Sequence, residues 1–183
     1  GVSDRRVDLL EEGVDCVVRG GEMTDLSLVA RRVGDLTMGV YATPGYLEMR
    51  GYPAHPQALS LPPHYMVNFR WERANMAFLN TLRRDDESVT VQGRYVISVD
   101  DGDAGLAAGL AGLGVLWLPD YMAREHVSRG DLVRLFDDWH IDPMPMYIAF
   151  PPNRHVSAKL RVFMNWVEAL MAQHAPRVDR RRQ

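Results

Sequence analysis

The stretch DDGDAGLAAGLAGLGVLWLPDYM, Asp100 to Met122, narrows the choice of fold more than any other part of the chain. Between Asp103 and Asp120 run sixteen residues without a charge. As a helix they would rise about 24 Å, short of a hydrocarbon core of about 30 Å. The flanking charges are aspartates, not lysines or arginines. Gly105-x-x-x-Gly109 matches a packing motif of membrane helices, but the same small residues let a soluble helix lie close on a sheet. Gly109, Gly112 and Gly114 read G-x-x-G-x-G, whereas a dinucleotide loop reads G-x-G-x-x-G, follows a strand and opens a helix. What fits is helix, strand, helix. Asp100 is the expected N-cap, with Asp101 and Asp103 in the first turn. Leu106, Leu110 and Leu113 mark one face, and Gly112 or Gly114 stops the helix. Val115 to Leu118 form a strand buried on both faces. Pro119 ends it, and Asp120-Tyr121-Met122 open the next helix.

The rest of the chain repeats this grammar. Asp4 to Glu12 reads as a helix, Val14 to Arg19 as a strand stopped by Gly20-Gly21, and Leu26 to Arg32 and Thr37 to Ala42 as strands. Thr43-Pro44 opens a short helix through Met49. Gly51 to His64 carries four prolines and reads as a loop. Tyr65 to Phe69 is a strand. Asn75 to Arg84 is a helix with Met76, Leu79 and Leu82 on one face. Val89 to Val91, Tyr95 to Val99, Leu132 to Phe136 and Met146 to Phe150 are strands. The last helix, capped by Ser157, carries Val156, Leu160, Phe163, Val167, Leu170 and His174 at helical spacing. Strands alternating with helices predict an α/β fold with a mainly parallel sheet, and ligands at the C-terminal ends of its strands.

Composition excludes several functions. The 183 residues suffice for one domain or two small ones. A net charge of −3 argues against a surface that neutralises nucleic-acid phosphates. The single cysteine, Cys16, rules out an internal disulfide, fits a reducing compartment and is expected as a buried core thiol in its strand. The start GVSDRRVDLL carries no Met and no apolar leader, so the natural N-terminus is expected to be missing. The six histidines are scattered without an H-x-x-x-H pair, so no metal site is expected. There is no G-x-S-x-G and no nucleophile with a paired base, so no catalytic residue and no cofactor are assigned.

VSDRRVDLLEEGVDCVVRGGEMTDLSLVARRVG resembles the middle of the effector-binding domain of LysR-type transcriptional regulators. The resemblance continues through VYATPGYLEMRGYPAHPQAL, ISVDDGDAGLAAGLAGLGVLWLPDYMA, SRGDLVRLF and SAKLRVFMNWV, in the family's order, over roughly Gly1 to His174. It implies the fold of type II periplasmic binding proteins: two α/β subdomains joined by two crossovers, with a small effector in the hinge cleft. The outer subdomain is then 1–43 plus 142–174, the inner one 44–141, and 175–183 a disordered basic tail. The resemblance further implies a small-molecule effector, a small organic acid being one class, a homodimer or tetramer, a cytoplasmic location and no membrane. DNA would be contacted only through a helix-turn-helix that this sequence does not contain. The family's first strand–helix–strand is also missing before Gly1. The alternatives left open are a solute-binding protein of a transport system and an enzyme of similar fold.

Each candidate effector residue has a plainer reading beside it. Arg19 and Gly20 end a strand, where an Arg can fork onto a carboxylate; the plainer reading is a tight turn with Arg in solvent. Asp100 and Asp101 begin a helix after a strand, where ligands bind, or merely cap it. The family often has Asn-Asp there, so Asp100 is a departure. Asn68 and Phe69 end another strand. Pro119 contacts ligand or simply ends its strand. Thr43 lies at the first crossover and contacts ligand or caps the Pro44 helix.

Overall fold

The computed structural model describes residues 13–21, 23, 27–69, 80–152 and 157–174. The strands are β1 (Val17–Gly20), β2 (Val29–Leu36), β3 (Met38–Ala42), β4 (Met66–Phe69), β5 (Thr81–Arg84), β6 (Glu87–Thr90), β7 (Tyr95–Val99), β8 (Leu116–Pro119), β9 (Val133–Leu135), β10 (His140–Ile141) and β11 (Met144–Phe150). The helices are α1 (Pro44–Arg50), α2 (Gly102–Leu110), α3 (Asp120–Arg129) and α4 (Ala158–His174), with a 3-10 turn at Pro56–Ser60. The chain divides into two units, one holding Met38–Asp142 and the other the described parts of Arg6–Thr37 and Pro143–Gln183.

The first unit is built on a five-strand sheet in the order β7-β4-β8-β3-β9. β4 pairs parallel with β7, and a parallel bridge from Met66 to Val115 joins β4 to the start of β8. β3 pairs antiparallel with both β8 and β9. Four strands therefore run one way and β3 alone runs the other. The expectation of a mainly parallel sheet holds for strand direction and fails for pairing: most described pairs are antiparallel. The cause is where the chain enters. β3 starts at the boundary between the units, so it meets the sheet head-on. β7 and β8 are separated by α2, a connection long enough to return the chain in the same sense.

The second unit shows the same device. β11 starts just after the other boundary and lies between β1 and β2, antiparallel to each. β1 and β2 run the same way but cannot be neighbours, because the link from Gly20 to Val29 is too short for a parallel crossover.

α2 and α3 cover one face of the five-strand sheet, enclosing Tyr41, Val67, Ala108, Leu116, Leu118, Ala123 and Leu132. The buried face of α2 is not the leucine face. Gly105, Ala108 and Gly109 are buried, Leu106 and Leu110 are half-buried, and Leu113 is exposed. The sheet is too close for larger side chains: a Cβ on Gly109 would meet Leu116 Cδ2 at 2.4 Å. Gly112 takes the left-handed conformation after the helix, at φ 73°. In α4 the buried positions are Leu160, Met164, Val167 and Met171, a face rotated from the one the spacing suggested, with Leu170 exposed. The Ser157 hydroxyl accepts from Leu160 N at 3.1 Å and caps the helix as expected.

Other expectations shift. Residues 81–84 are a strand, not the end of a helix. Thr81 and Thr90 meet through their hydroxyls at 2.9 Å, Leu82 and Val89 are buried, and Asp85-Asp86 close the hairpin with Asp85 at φ 50°. Cys16 precedes β1 and is half-buried, and partial burial, then Asp15, pushes its thiol pKa up. The expected Asp4–Glu12 helix, most of 75–80 and the tail from residue 175 lie outside the described residues.

Tyr46 ties α1 to the segment before β4. Its hydroxyl accepts from Tyr65 N at 2.9 Å, donates to Tyr65 O at 3.2 Å and lies 3.4 Å from His64 Nδ1. His64 is 5% exposed, and burial, then Arg50, lowers its pKa.

Two predictions follow from this packing. A Cβ on Gly114 would meet Tyr65 O at 2.8 Å, a backbone atom that cannot swing away. Gly114→Ala should cost about 1–3 kcal/mol. Gly45→Ala, open to solvent in α1, should be neutral or gain up to about 1 kcal/mol. Urea midpoints of the two variants check this. For His64 the folded pKa is depressed, so the unfolded chain binds the proton more readily. Its contribution is present above about pH 6.5 and lost as pH falls through the folded value. Stability measured between about pH 7 and pH 5 should fall less steeply in His64→Gln than in the parent, apart from a uniform offset.

Candidate functional site

The parallel strands β7, β4 and β8 all end at one edge of the five-strand sheet, with the N-termini of α2 and α3 beside them. Register places Asn68 opposite Ser98 and Phe69 opposite Val99. Asn68 Nδ2 donates to Ser98 Oγ at 3.1 Å, an exposed bond that fixes the amide at the strand end. Asp100 is exposed in the turn that follows β7. The cap is Asp101, one residue later than expected: its carboxylate accepts from Ala104 N at 2.9 Å. Pro119 closes β8 on the same edge. Gly102, at the start of α2, faces Met122 of α3, so the two helix starts adjoin. The structure thus brings Asn68, Phe69, Asp100, Asp101 and Pro119 together. Ligands of open α/β sheets bind at such an edge.

Thr43 does not join them. β3 runs against β8, so its end lies at the opposite edge. There the Thr43 hydroxyl accepts from Tyr46 N at 3.2 Å and caps α1. The capping reading is the one the geometry supports.

Arg19 and Gly20 belong to the other unit. They pair across β1 and β11 with Tyr147 and Met146. Arg19 is half-buried. A Cβ on Gly20 would meet Met144 Sδ at 2.9 Å, and Gly21, at φ 84°, donates to Pro145 O at 2.8 Å. Gly21 is held by its left-handed backbone, whereas at Gly20 a side chain would only have to displace the flexible ends of Met144 and Met146.

One feature of the edge escaped the sequence reading. The Tyr41 hydroxyl donates to Asp120 Oδ1 at 2.7 Å, and Arg134 Nη1 donates to Asp120 Oδ2 at 3.1 Å. Gly39 leaves the room for this ring: a Cβ there would lie 2.5 Å from the Tyr41 hydroxyl. Burial, then the Asp120 bond, pushes the Tyr41 pKa above its usual range, so the phenol stays a donor. The signal was available in Gly39-x-Tyr41, two positions on one strand face, and in an Asp directly after Pro119.

The edge is acidic. Asp100, Asp101 and Asp103 lie in or beside the first turn of α2 and offset the positive end of its dipole. The Asp120 carboxylate is shared between Tyr41 and Arg134. Among the described residues no three His, Cys, Asp or Glu side chains group to hold a metal ion, and no helix is long and apolar enough to cross a membrane.

Residues 1–172 match the family model described as the LysR substrate binding domain. The chain belongs to the LysR substrate binding domain family. It is 34% identical over 172 residues to an HTH-type transcriptional repressor of Pseudomonas aeruginosa, covering 94% of this chain and 54% of that protein. Among solved structures it is similar to the regulatory domain of AphB from Vibrio vulnificus, with a TM-score of 0.65, 27% identity, and coverage of 90% of this chain and 78% of that one. The CrgA regulatory domain from Neisseria meningitidis shares its fold, with a TM-score of 0.74 at 24% identity, covering 90% of this chain and 79% of that one. As a LysR substrate binding domain the chain has the two-subdomain α/β fold of the periplasmic-binding-protein type. It spans about half the length of the curated relatives it matches.

The cap assignment is testable. Asp101→Ala should cost about 1 kcal/mol by losing the Ala104 amide's partner. Asp100→Ala, whose side chain is exposed, should stay within about 0.5 kcal/mol. Equal losses in denaturant titrations would contradict the assignment.

Proposed function

We propose that this chain is the effector-sensing part of a cytoplasmic LysR-type transcriptional regulator and not an enzyme. It binds a small molecule at the edge where β4, β7 and β8 end. The full protein acts as a homodimer or tetramer and meets DNA through a segment outside this sequence. The observation that carries the reading is the convergence of Asn68, Asp100, Asp101 and Pro119 on one edge, in a chain whose family members are regulators. Among the described residues the edge holds polar groups but no nucleophile paired with a base, which disfavours the enzyme alternative. The solute-receptor alternative is disfavoured by the regulator relatives.

Electrostatics orient the ligand in this reading. Asp100 and Asp103 repel an anion from the start of α2. Arg19 is a separate candidate contact for a carboxylate. The effector's anionic end therefore points away from Asp100, and its neutral or donor-bearing end faces it. On binding, the ligand favours one arrangement of the regulator over another.

A thermal-shift screen of small aromatic and aliphatic acids against the full-length regulator tests the reading, because a ligand bound only by the folded state raises the midpoint. With an acid found, Arg19→Ala should weaken it about tenfold or more, the loss of a charge-assisted pair. Asp100→Asn should leave affinity unchanged or improve it. Calorimetric titration of both variants decides; a large loss on Asp100→Asn with none on Arg19→Ala refutes the orientation.

A further inference from the structure

Three segments of the first unit meet at the sheet edge opposite the candidate site: the end of α1, the His64-Tyr65 segment before β4, and Arg94 before β7. The two bonds of the Tyr46 hydroxyl to Tyr65 hold the first pair together, and Met66 N donates to Arg94 O at 2.8 Å. Two guanidiniums lie on one ring there. The central carbons of Arg50 and Arg94 are 5.3 Å and 5.2 Å from the Tyr65 ring centre. Neither guanidinium forms an ion pair among the described residues. Arg31, Arg83, Arg84, Arg129 and Arg134 each hold a carboxylate, whereas Arg50 and Arg94 share an aromatic ring instead.

Large exposed apolar side chains neighbour these segments along the chain. Met49 and Tyr52, on either side of Arg50, are 77% and 65% exposed, and Leu61, whose carbonyl accepts from His64 N, is 59% exposed. Exposed apolar groups in one place mark interaction surfaces. Arg, Tyr and Met are also the residue types that anchor protein interfaces. Stacking on Tyr65 pre-orients both guanidinium forks, so less freedom is lost when they bind.

We propose that this patch docks a protein segment in which carboxylates alternate with apolar side chains. The carboxylates take the donor forks of Arg50 and Arg94, and the apolar groups cover Met49, Tyr52 and Leu61. A nucleic-acid strand is the poorer fit. The chain carries a net charge of −3, and Met49 and Leu61 offer a phosphate backbone nothing. The proposal stands apart from the effector reading, since the patch lies at the other edge of the sheet.

The test titrates the 183-residue chain, by fluorescence anisotropy, against three labelled probes. These are the peptide Asp-Glu-Leu-Asp-Phe-Glu, its neutral counterpart Asn-Gln-Leu-Asn-Phe-Gln, and single-stranded oligodeoxythymidine. The acidic peptide should bind about tenfold tighter than the neutral one. Arg50→Ala and Arg94→Ala should each weaken it about five- to tenfold, with partial recovery in the Lys variants, which keep charge but lose the fork. Met49→Ser, at a position too exposed to affect folding, should weaken it as well. Unchanged melting temperatures separate these losses from misfolding. The proposal is overturned by equal binding of both peptides, by no binding, by binding insensitive to the three positions, or by preference for the oligonucleotide.

Discussion

Strand β3 is buried along its whole length, and the first unit is organised by that fact. A strand with no exposed residue must be paired on both sides and covered on both faces. β8 and β9 supply the pairing. Because β3 enters from the unit boundary, it runs against its neighbours. That single reversal sends Thr43 to one edge of the sheet and leaves the ends of β4, β7 and β8 at the other. Tyr41 crosses the difference: it lies in the β3 interior, yet its hydroxyl reaches Asp120 at the start of α3. The candidate edge and the core beneath it are thus joined by one side chain.

Packing against this sheet is governed by the absence of side chains as much as by their presence. Gly109 lets α2 settle on Leu116, and Gly114 lets the turn after α2 pass the Tyr65 backbone. The first turns of α2 lie against Met122 and Val99. The close approach also explains why this run is rich in Gly and Ala without being a membrane segment. The same run that looked lipid-compatible is a helix with its small residues inward and its leucines at the margin.

Much of this was legible in the sequence, and the limits have physical causes. β7, α2 and β8 could be read because alternation, an Asp cap and a helix-ending Gly each leave local marks. The family was legible because these marks recur in one order from Gly1 to His174. The cap slipped by one residue because Asp100 and Asp101 are chemically identical and only backbone angle separates them. Residues 81–84 were misread because Leu82 fits a helical face with Met76 and Leu79 as well as it fits a hairpin with Val89; the deciding partner is across the strand, not along it. The sense of pairing was not legible at all, since strand direction depends on where a distant segment enters. The Tyr41–Asp120–Arg134 network joins residues up to 93 positions apart, and no local pattern announces it.

The position of β11 has a consequence for synthesis. Among the described residues the first unit occupies one continuous run, Met38–Asp142, made before β11 begins. The second unit cannot close at that stage. Among the described strands of the second unit the middle one is β11, so the pairs that β1 and β2 make with it form only after Phe150 is made. Closing so long a loop adds little to the equilibrium cost but delays the contact. Throughout that interval the edges of β1 and β2 that β11 covers lack it, a state that invites pairing with other chains. The order of translation therefore leaves the second unit, not the first, the later of the two to complete its described pairing.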